Sequence, residues 1–449
     1  MSLPTPESIA TTLATGEYRS IELVYPDMNG VLRGKHVPLD QAGKLFGGVR
    51  LPRSTYNLDI LSADVEAAGI AIDTGDPDGL GHCVAFGPAQ WADHATALMT
   101  MTEVDGSPNP YDPRQALAGV VARFTERGLT PVVAPELEFY LMDAARDPGG
   151  RGQPPISPVT GDRLADPQIY RLSVQEPFLP ILDAIREAAN ALGAAADVAL
   201  AEFGPGQFEI NLAHTPDPLN AADQAIMLKH AIRGVARANG MEACFMAKPY
   251  GDHSGSGLHY HISLLDETGT NIFAGDSDIP NAALGGAVAR LVEVMGESTL
   301  GFAPHLNSYR RLAPGTYAPI IAAWGLDNRG VALRVPATQG VAARLEHRVP
   351  GSDANPYIAL ALILQGILEG LDATKDPGTP VVGEATTDHG EELPLGWGRA
   401  LVAFQDSPFA ARALGSEFHR VYALMKAQEM DSLRTRVTDV EFDVYMRSI

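Results

Sequence analysis

Residues 131–142 read PVVAPELEFYLM, a largely apolar stretch that carries two acidic residues, Glu136 and Glu138. Because successive side chains of a strand point to opposite faces, both carboxylates should lie on one face and Leu137 on the other. Two like charges on a core strand repel, and each is costly to desolvate unless it is paired or bound to a metal. The stretch therefore predicts a strand with a chemically active inner face. An exposed edge-strand face is the alternative that this pair alone leaves open.

A second acidic pair, Glu202 and Glu209, lies in AEFGPGQFEINL at residues 201–212. Gly204-Pro205-Gly206 predicts a turn, so that two strands could return both carboxylates to one site. A hairpin with solvated acids is the alternative.

Residues 255–263 read GSGLHYHIS. The glycines allow backbone amides to approach a ligand, and the alternation that follows places His259, His261 and Ser263 on one strand face. Imidazole is a ligand for Mn²⁺-like ions and a partner for phosphate oxygens. A hydrogen-bonded pair of core histidines is the alternative.

Arginines gather in the next motifs. In RLEHR, Arg344, Glu346 and Arg348 share a face of a short strand. Guanidinium groups match the geometry of carboxylates and phosphates, so the cluster predicts anion binding, with a solvated salt-bridge face as the alternative. The other arginines of this set are Arg311 in NSYRRLAPG and, just before RLEHR, Arg329 and Arg334.

Taken together, these four motifs supply carboxylates and a histidine for hard divalent metals, and arginines for phosphates. That combination indicates metal-assisted phosphoryl transfer, in which positioning and charge neutralisation provide most of the catalysis. The sequence contains no GxxxxGK[ST] motif, which excludes a P-loop.

Length and composition limit the number of domains, the kinds of partner and the cellular location. The 449 residues suggest two or three domains, and 33 basic against 55 acidic residues give a net charge of -22. This balance argues against nucleic-acid and membrane partners. Only two cysteines, Cys83 and Cys244, are present, which favours a reducing compartment. The sequence shows no signal-peptide pattern, and its longest apolar stretch (residues 357–371) is too short to span a bilayer. We therefore expect a cytoplasmic protein.

Local patterns predict a small β-rich N-terminal domain followed by a large α+β domain. Residues 21–37 read as a hairpin around an Asp27–Gly30 turn, and the loop at residues 105–112 reads as a domain boundary. Asp112 and Pro113 begin a helix that Gly128 closes. Two further helix-then-strand units are predicted at 177–192 with 196–203, and at 217–239 with 243–246.

These motifs, in this order and approximate spacing, resemble the type I glutamine synthetase superfamily along nearly the whole chain. The resemblance implies an α+β glutamine synthetase fold. Its N-terminal β-grasp domain would span residues 1–108. Its catalytic (guanido kinase-like) domain, residues 109–449, would have antiparallel strands that form a funnel-shaped active site. It also implies a homo-oligomer, a dodecamer of two hexameric rings, in which a neighbour's N-terminal domain completes each site.

The resemblance also implies roles for individual residues, with ATP and two or three Mg²⁺ or Mn²⁺ ions as cofactors. The ligands of the metal beside the amine and glutamate are Glu138, Glu202 and Glu209. The ligands of the metal at the nucleotide phosphates are Glu136, His259 and Glu346. The glutamate-binding set is Gly255, Arg311 and Arg348, with Ser254 beside it. The nucleotide and phosphoryl-transfer set is His261, Ser263, Arg329, Arg334 and Arg344. Asp59 corresponds to the N-terminal aspartate of the ammonium site.

Two departures from ammonia-using members bear on the substrate. Ser254 replaces an asparagine, and Tyr317 in PGTYAP replaces the glutamate of the flap that closes the site. A phenol that is neutral at pH 7 weakens an ammonium site and offers an aromatic surface to an alkyl-ammonium chain. Residues 372–394 also contain no tyrosine, so the adenylylation target of regulated bacterial synthetases is missing.

The chain resembles the γ-glutamylpolyamine (γ-glutamylputrescine) synthetase branch most closely. We therefore expect an ATP-dependent ligase that forms a γ-glutamylamide from L-glutamate and a primary amine through γ-glutamyl phosphate. A true glutamine synthetase using ammonia is one alternative. An inactive nitrogen or polyamine sensor is the other, and the complete set of metal ligands argues against it.

Overall fold

The computed structural model describes residues 3–70, 74–373 and 375–449. Residues 20–102 form a five-stranded mixed sheet in the order β2-β1-β5-β4-β3. The predicted hairpin is confirmed, because β1 and β2 pair antiparallel with Ile21 opposite Val37. The strands are β1 (Ser20–Pro26), β2 (Leu32–Val37), β3 (Val49–Pro52), β4 (Asp78–Pro88) and β5 (His94–Thr102).

A second, eight-stranded sheet follows in the order β11-β12-β13-β10-β6-β8-β7, with β9 paired to the far end of β6. Its pairs are antiparallel except β11 with β12, which run parallel. The strands are β6 (Thr130–Asp143), β7 (Ala196–Ala201), β8 (Gln207–Leu212), β9 (Met241–Cys244), β10 (Leu258–Leu265), β11 (Trp324–Leu326), β12 (Leu333–Ala337) and β13 (Arg344–His347).

Helices flank both sheets and make up most of the chain after residue 355. In chain order they are α1 (Pro6–Thr15), α2 (Lys44–Gly47), α3 (Pro113–Thr125), α4 (Leu172–Gln175), α5 (Leu179–Ala191), α6 (Pro218–Ala238), α7 (Ala282–Glu293), α8 (Met295–Phe302), α9 (Ser308–Arg311), α10 (Pro356–Asp372), α11 (Trp397–Gln405), α12 (Pro408–Leu414), α13 (Ser416–Arg434) and α14 (Asp439–Tyr445). No helix among the described residues is both long and apolar enough to cross a membrane.

The helix-then-strand units form where the sequence predicts them, with small differences at their ends. Asp112 caps α3 by accepting the Arg114 amide, as predicted. Strand β7 ends at Ala201 rather than at residue 203, because the chain turns before β8. Strand β9 lies at 241–244 rather than 243–246, where it pairs with residues 140–143 of β6. The preceding part of β6, up to Leu137, pairs with β10 instead. The division into domains at residue 108 stays a prediction, although the two sheets lie on either side of it.

A buried ion pair on α13 ties the N-terminal sheet to the helical end of the chain. Lys426 and Glu429 are both 0% exposed, and the Lys426 ammonium lies 3.0 Å from the Glu429 carboxylate. The other carboxylate oxygen accepts hydrogen bonds from the Asn29 side chain at 2.8 Å and the Ile60 amide at 2.9 Å. Glu429 therefore holds both the turn after β1 and the loop that carries Asp59.

Replacing Glu429 with leucine should lower the free energy of unfolding by about 3–5 kcal/mol, because a buried ammonium loses its counter-charge. Asp431→Asn is the matched control on the same helix, since Asp431 pairs with Arg434 at the surface; we expect no measurable change there. Urea denaturation of both variants tests this. A Glu429→Leu protein as stable as the control would show that the pair does not hold the two parts together.

Candidate active site

The register of three central strands brings the predicted acidic and imidazole groups to one face of the second sheet. Glu138 lies opposite Glu209 on β8, and Glu136 lies opposite His259 on β10. Leu137 points to the other face and is fully buried, as the alternation predicts. The exposed-edge alternative for β6 is therefore wrong, because β6 is a central strand paired on both sides.

The next strand pair extends the same face. Glu346 lies opposite His261 on one side and opposite Arg334 on the other. The His261 Nε2 lies 3.0 Å from a Glu136 carboxylate oxygen, and the Arg334 guanidinium donates to Glu346 at 2.7 Å. Arg348 also donates to the Glu346 carboxylate. The acids of this end of the face are thus balanced by arginine and histidine.

At the other end of the face, the acids lack such balance. Burial, followed by the neighbouring Glu138 carboxylate, raises the pKa of Glu202 to about 7 and that of Glu209 to about 10. By contrast, burial opposes the charge of Glu346, but Arg348 and the two histidines outweigh it and lower its pKa to about 2. Glu138, Glu202 and Glu209 therefore form a cluster that a cation would stabilise.

The residues present suit hard divalent metals. Glu136, His261 and Glu346 each offer one ligand atom, and these atoms all lie within 4.8 Å of one another. The resemblance implies His259 rather than His261 here; the His259 Nδ1 lies 3.6 Å from Glu136 and 3.9 Å from Glu346. The Asn211 Oδ1 is buried without a hydrogen-bond partner among the described residues, opposite Glu136 on the neighbouring strand. Oxygen-rich donors with one imidazole and an unsatisfied buried oxygen fit Mg²⁺ or Mn²⁺.

The Gly-Ser-Gly segment closes tightly over this face. The Gly257 amide donates to Glu138 at 2.9 Å. A Cβ on Gly257 would lie 2.6 Å from the His259 ring and 2.9 Å from the Arg311 guanidinium. The segment is therefore glycine because the backbone, an imidazole and a guanidinium share one small space.

The predicted glutamate-binding residues lie around this segment. Arg311 is 4% exposed and donates to the carbonyls of Val349 and Arg348 at 2.7 and 3.2 Å. The Arg348 Nε is buried without a hydrogen-bond partner among the described residues. The Ser254 hydroxyl donates to the Gln207 side chain, and its carbonyl accepts from the Tyr140 hydroxyl at 2.7 Å.

Some of the predicted nucleotide-binding residues lie at the metal-ligand cluster, and another lies in an exposed loop. Arg344 donates to the His261 Nδ1 at 3.2 Å, so it touches the metal-ligand cluster directly. Ser263 follows two residues later on the same face of β10, while Arg329 is exposed in the loop between β11 and β12.

Asp59 does not reach the acidic cluster within this chain. It is fully buried, and its carboxylate accepts from the amides of Leu61 and Ala63 at 2.8 and 2.9 Å and from Gln428 at 3.0 Å. An ammonium-site role for Asp59, in a site completed by a neighbouring subunit, stays a prediction.

Two strand residues near the acids were missed by the sequence analysis. Gln207 donates to Glu138 at 3.2 Å and to the Gly255 carbonyl at 2.9 Å. The alternation of β8 could have found it and Asn211, since both share a face with Glu209.

Aromatic residues lie in the segments that carry or adjoin the acids. The exposed Tyr170 donates its amide to the carbonyl of Ala201, next to Glu202, at 3.0 Å, and burial and the charges of Glu202 and Glu209 raise its pKa. The rings of Phe203 and Tyr317 lie 5.6 Å apart, and Tyr317 is 75% exposed with φ +60°. No periodic pattern marks Tyr170 or Phe203 in the sequence.

Metal binding should release protons, because Glu209 is protonated at pH 7 and Glu202 is about half protonated when their pKa values are near 10 and 7. Since the bound ion requires carboxylates, Mn²⁺ affinity should rise as pH increases from 6 to 8. Calorimetric titration in buffers of different ionisation enthalpy measures the protons released. Glu209→Gln should release fewer protons than the unaltered protein. Binding without proton release would mean that these acids are not the ligands.

Comparisons with known proteins agree with this geometry. The family described as "Glutamine synthetase, catalytic domain" matches residues 110–445. Gamma-glutamylputrescine synthetase of Escherichia coli (strain K12) is 38% identical over 434 residues, covering 95% of this chain and 92% of that protein. Gamma-glutamylethanolamide synthetase of Streptomyces coelicolor is 32% identical, covering 97% and 94% of the two chains.

The likeness extends to a solved structure. A GmaS/ADP complex superposes with a TM-score of 0.83 at 25% identity, covering 98% of this chain and 99% of that one. The predicted fold class is confirmed by this match. The chain belongs to the glutamine synthetase family and is an ATP-dependent ligase.

Proposed function

We propose that the protein forms a γ-glutamylamide from L-glutamate and a primary amine that carries a carbon chain. Support comes from the two relatives, whose names denote ligation of glutamate to putrescine and to ethanolamine. The observation that carries the proposal is the contact of Tyr317 with Phe203, the residue next to Glu202 in the chain.

That pair joins the flap to the turn that carries a predicted metal ligand. Tyr317 stands at the flap position where ammonia-using members have glutamate, and its ring packs against Phe203. Phe203 directly follows Glu202 in the turn between β7 and β8. An amine approaching the acids would therefore meet two rings rather than a flap carboxylate.

The free energy of binding at such an aromatic surface favours an amine that carries a carbon chain. Each buried methylene contributes about 0.8 kcal/mol, and a ring face stabilises an adjacent ammonium group by about 0.5–1 kcal/mol at exposed sites. Ammonium has no methylene to bury, and it loses the carboxylate that would help to bind it and accept its proton. A few buried methylenes therefore offset much of the lost charge attraction.

The proposed reaction proceeds in two steps. The γ-carboxylate of glutamate attacks the γ-phosphate of ATP and gives γ-glutamyl phosphate and ADP. The amine then displaces phosphate and forms the amide. Arg348 and Arg311, with Gly255 and Ser254, hold glutamate, and Arg329 and Arg334 stabilise charge on the transferring group. Divalent ions, when bound, would neutralise phosphate oxygens and bring the anionic substrates together.

Their proposed ligands are Glu138, Glu202 and Glu209 at one position and Glu136, His259 and Glu346 at the other, with His261 close to the second. The proposal includes the predicted dodecamer, in which a neighbour's N-terminal domain brings Asp59 to the amine.

A panel of amines tests the substrate class. With glutamate and ATP, we expect putrescine, longer polyamines or simple alkylamines to release phosphate at least tenfold faster than ammonium chloride, with products identified by mass. If ammonium is the best nucleophile and glutamine the main product, the protein is an ordinary glutamine synthetase. If no amine promotes phosphate release, the result supports the alternative that the protein is an inactive sensor.

Changing Tyr317 tests the residue behind that preference. Tyr317→Glu should shift the ratio of kcat/KM toward ammonium, because it restores a carboxylate. Tyr317→Phe is the matched control and should keep the preference, since the ring against Phe203 remains. Equal ratios in both variants would remove Tyr317 from the amine site.

Glu138→Gln should reduce phosphate release at least a hundredfold while leaving the oligomer intact, because it removes a charge from the acidic cluster without changing shape. Phosphate release at saturating Mn²⁺, with mass determination in solution, checks both points. Turnover within a few-fold of the unaltered protein would show that Glu138 is not a metal ligand.

A further inference from the structure

A large cavity lies apart from the acidic face, between the β1–β2 hairpin, helix α6 and the loop at residues 249–253. Its volume is about 1700 Å³, and none of the predicted metal ligands lines it. One wall belongs to the N-terminal sheet, through Leu23 and Arg33, and the opposite wall belongs to α6, through Lys229 and Arg233. The cavity is large enough for a metabolite, since ligand sites commonly occupy about 300–1,000 Å³.

Helix α6 presents a row of positive charges to this cavity. Lys229, Arg233 and Arg237 follow one another at intervals of four residues, so they share one face of the helix. Like charges at this spacing repel and destabilise the helix. Arg146, from the connection after β6, also lines the cavity. A chain with a net charge of -22 thus places several cations along the walls of one partly open cavity.

Two of these cations form no ion pair with a carboxylate of the described residues. Lys229 is 7% exposed and donates a hydrogen bond to the Ala354 carbonyl at 3.2 Å, while its ammonium lies 5.6 Å from the Phe245 ring centroid. The Arg233 guanidinium lies 4.8 Å from the same centroid. No carboxylate oxygen of the described residues lies within 4.0 Å of either charge. Buried Arg114, by contrast, pairs with Asp223 at 2.8 Å, and pairing is the general rule.

Acidic groups also line the cavity, and three of them have partners in the chain, although one oxygen of Asp353 has no hydrogen-bond partner among the described residues. Glu22 contacts His230 at 2.9 Å and His94 at 3.2 Å, and Glu242 lies 3.8 Å from Arg237. Asp353 accepts a hydrogen bond from Ser308 at 2.6 Å. These contacts leave Arg233 and Arg146 without an ion pair among the described residues. Asp353 partly offsets the charge of Lys229, whose pKa burial lowers to about 7.

We propose that this cavity binds a small polyanion, a ligand with several phosphate or carboxylate groups, through Lys229, Arg233 and Arg146. The half-buried Arg233 guanidinium lies over an aromatic ring without a carboxylate partner among the described residues, and an anion would supply its counter-charge. Because the walls come from both the N-terminal sheet and α6, the bound anion would also connect these two parts of the chain.

Calorimetric titration of the full-length protein tests the proposal with two probes, after divalent ions have been removed with EDTA and the EDTA itself has been removed by dialysis. Inorganic tripolyphosphate represents phosphate ligands and citrate represents carboxylate ligands. At least one should bind, and the comparison of the two identifies the chemistry. Arg233→Gln and Arg146→Gln should each weaken binding at least tenfold. Arg186→Gln is the matched control and should bind as the unaltered protein does, since Arg186 lies on α5 outside the cavity and pairs with Asp183.

Three results would overturn the proposal. One is that neither probe binds the unaltered protein. Another is that Arg344→Gln abolishes binding while Arg233→Gln leaves it unchanged, which would place the anion in the acidic-face site instead. The third is that Arg233→Gln changes the oligomer mass without changing anion affinity, which would mean that a second copy of the chain fills the cavity.

Discussion

The site depends on an electrostatic constraint: carboxylates are brought together on one buried face of a sheet, and only some of them have counter-charges. The pairing of Glu138 with Glu209 across β6 and β8 forces two acids to be neighbours, and the turn before β8 adds Glu202. In a low-dielectric environment such a group is stable only if it is protonated or binds a cation. The same register places Glu136 opposite His259, where histidines and arginines supply positive charge. One face therefore has a cation-seeking end and a charge-balanced end.

The surrounding structure keeps that face in place. Gly257 contributes an amide to Glu138 and leaves no room for a side chain beside His259 and Arg311. Arg311 in turn holds the backbone at Arg348, whose guanidinium reaches Glu346. The two ends of the face are thus joined through backbone contacts, so that a substrate carboxylate bound by Arg348 would lie close to both. Far from this face, the buried Glu429 fixes the loop of Asp59.

Much of this could be predicted from sequence because strand alternation is a short-range rule. It placed Glu136 with Glu138 and His259 with His261 before any pairing was known, and the capping signal of Asp112 located the start of a helix. It could not say which acids would face one another, since register depends on long-range pairing. Residues outside periodic elements, such as Tyr170, carried no signal, and neither did the pairing of Lys426 with Asn29, which are 397 positions apart. Gln207 and Asn211 were within reach of the alternation rule and were missed because neither is charged.

The most direct measurement is a crystal structure with Mn²⁺ and a non-hydrolysable ATP analogue, with anomalous scattering used to locate the ions. The account predicts an anomalous peak among Glu138, Glu202 and Glu209, and a second among Glu136, Glu346 and one of the two histidines, beside the analogue's phosphates. A map without a peak among Glu138, Glu202 and Glu209, at Mn²⁺ concentrations that support turnover, would contradict it.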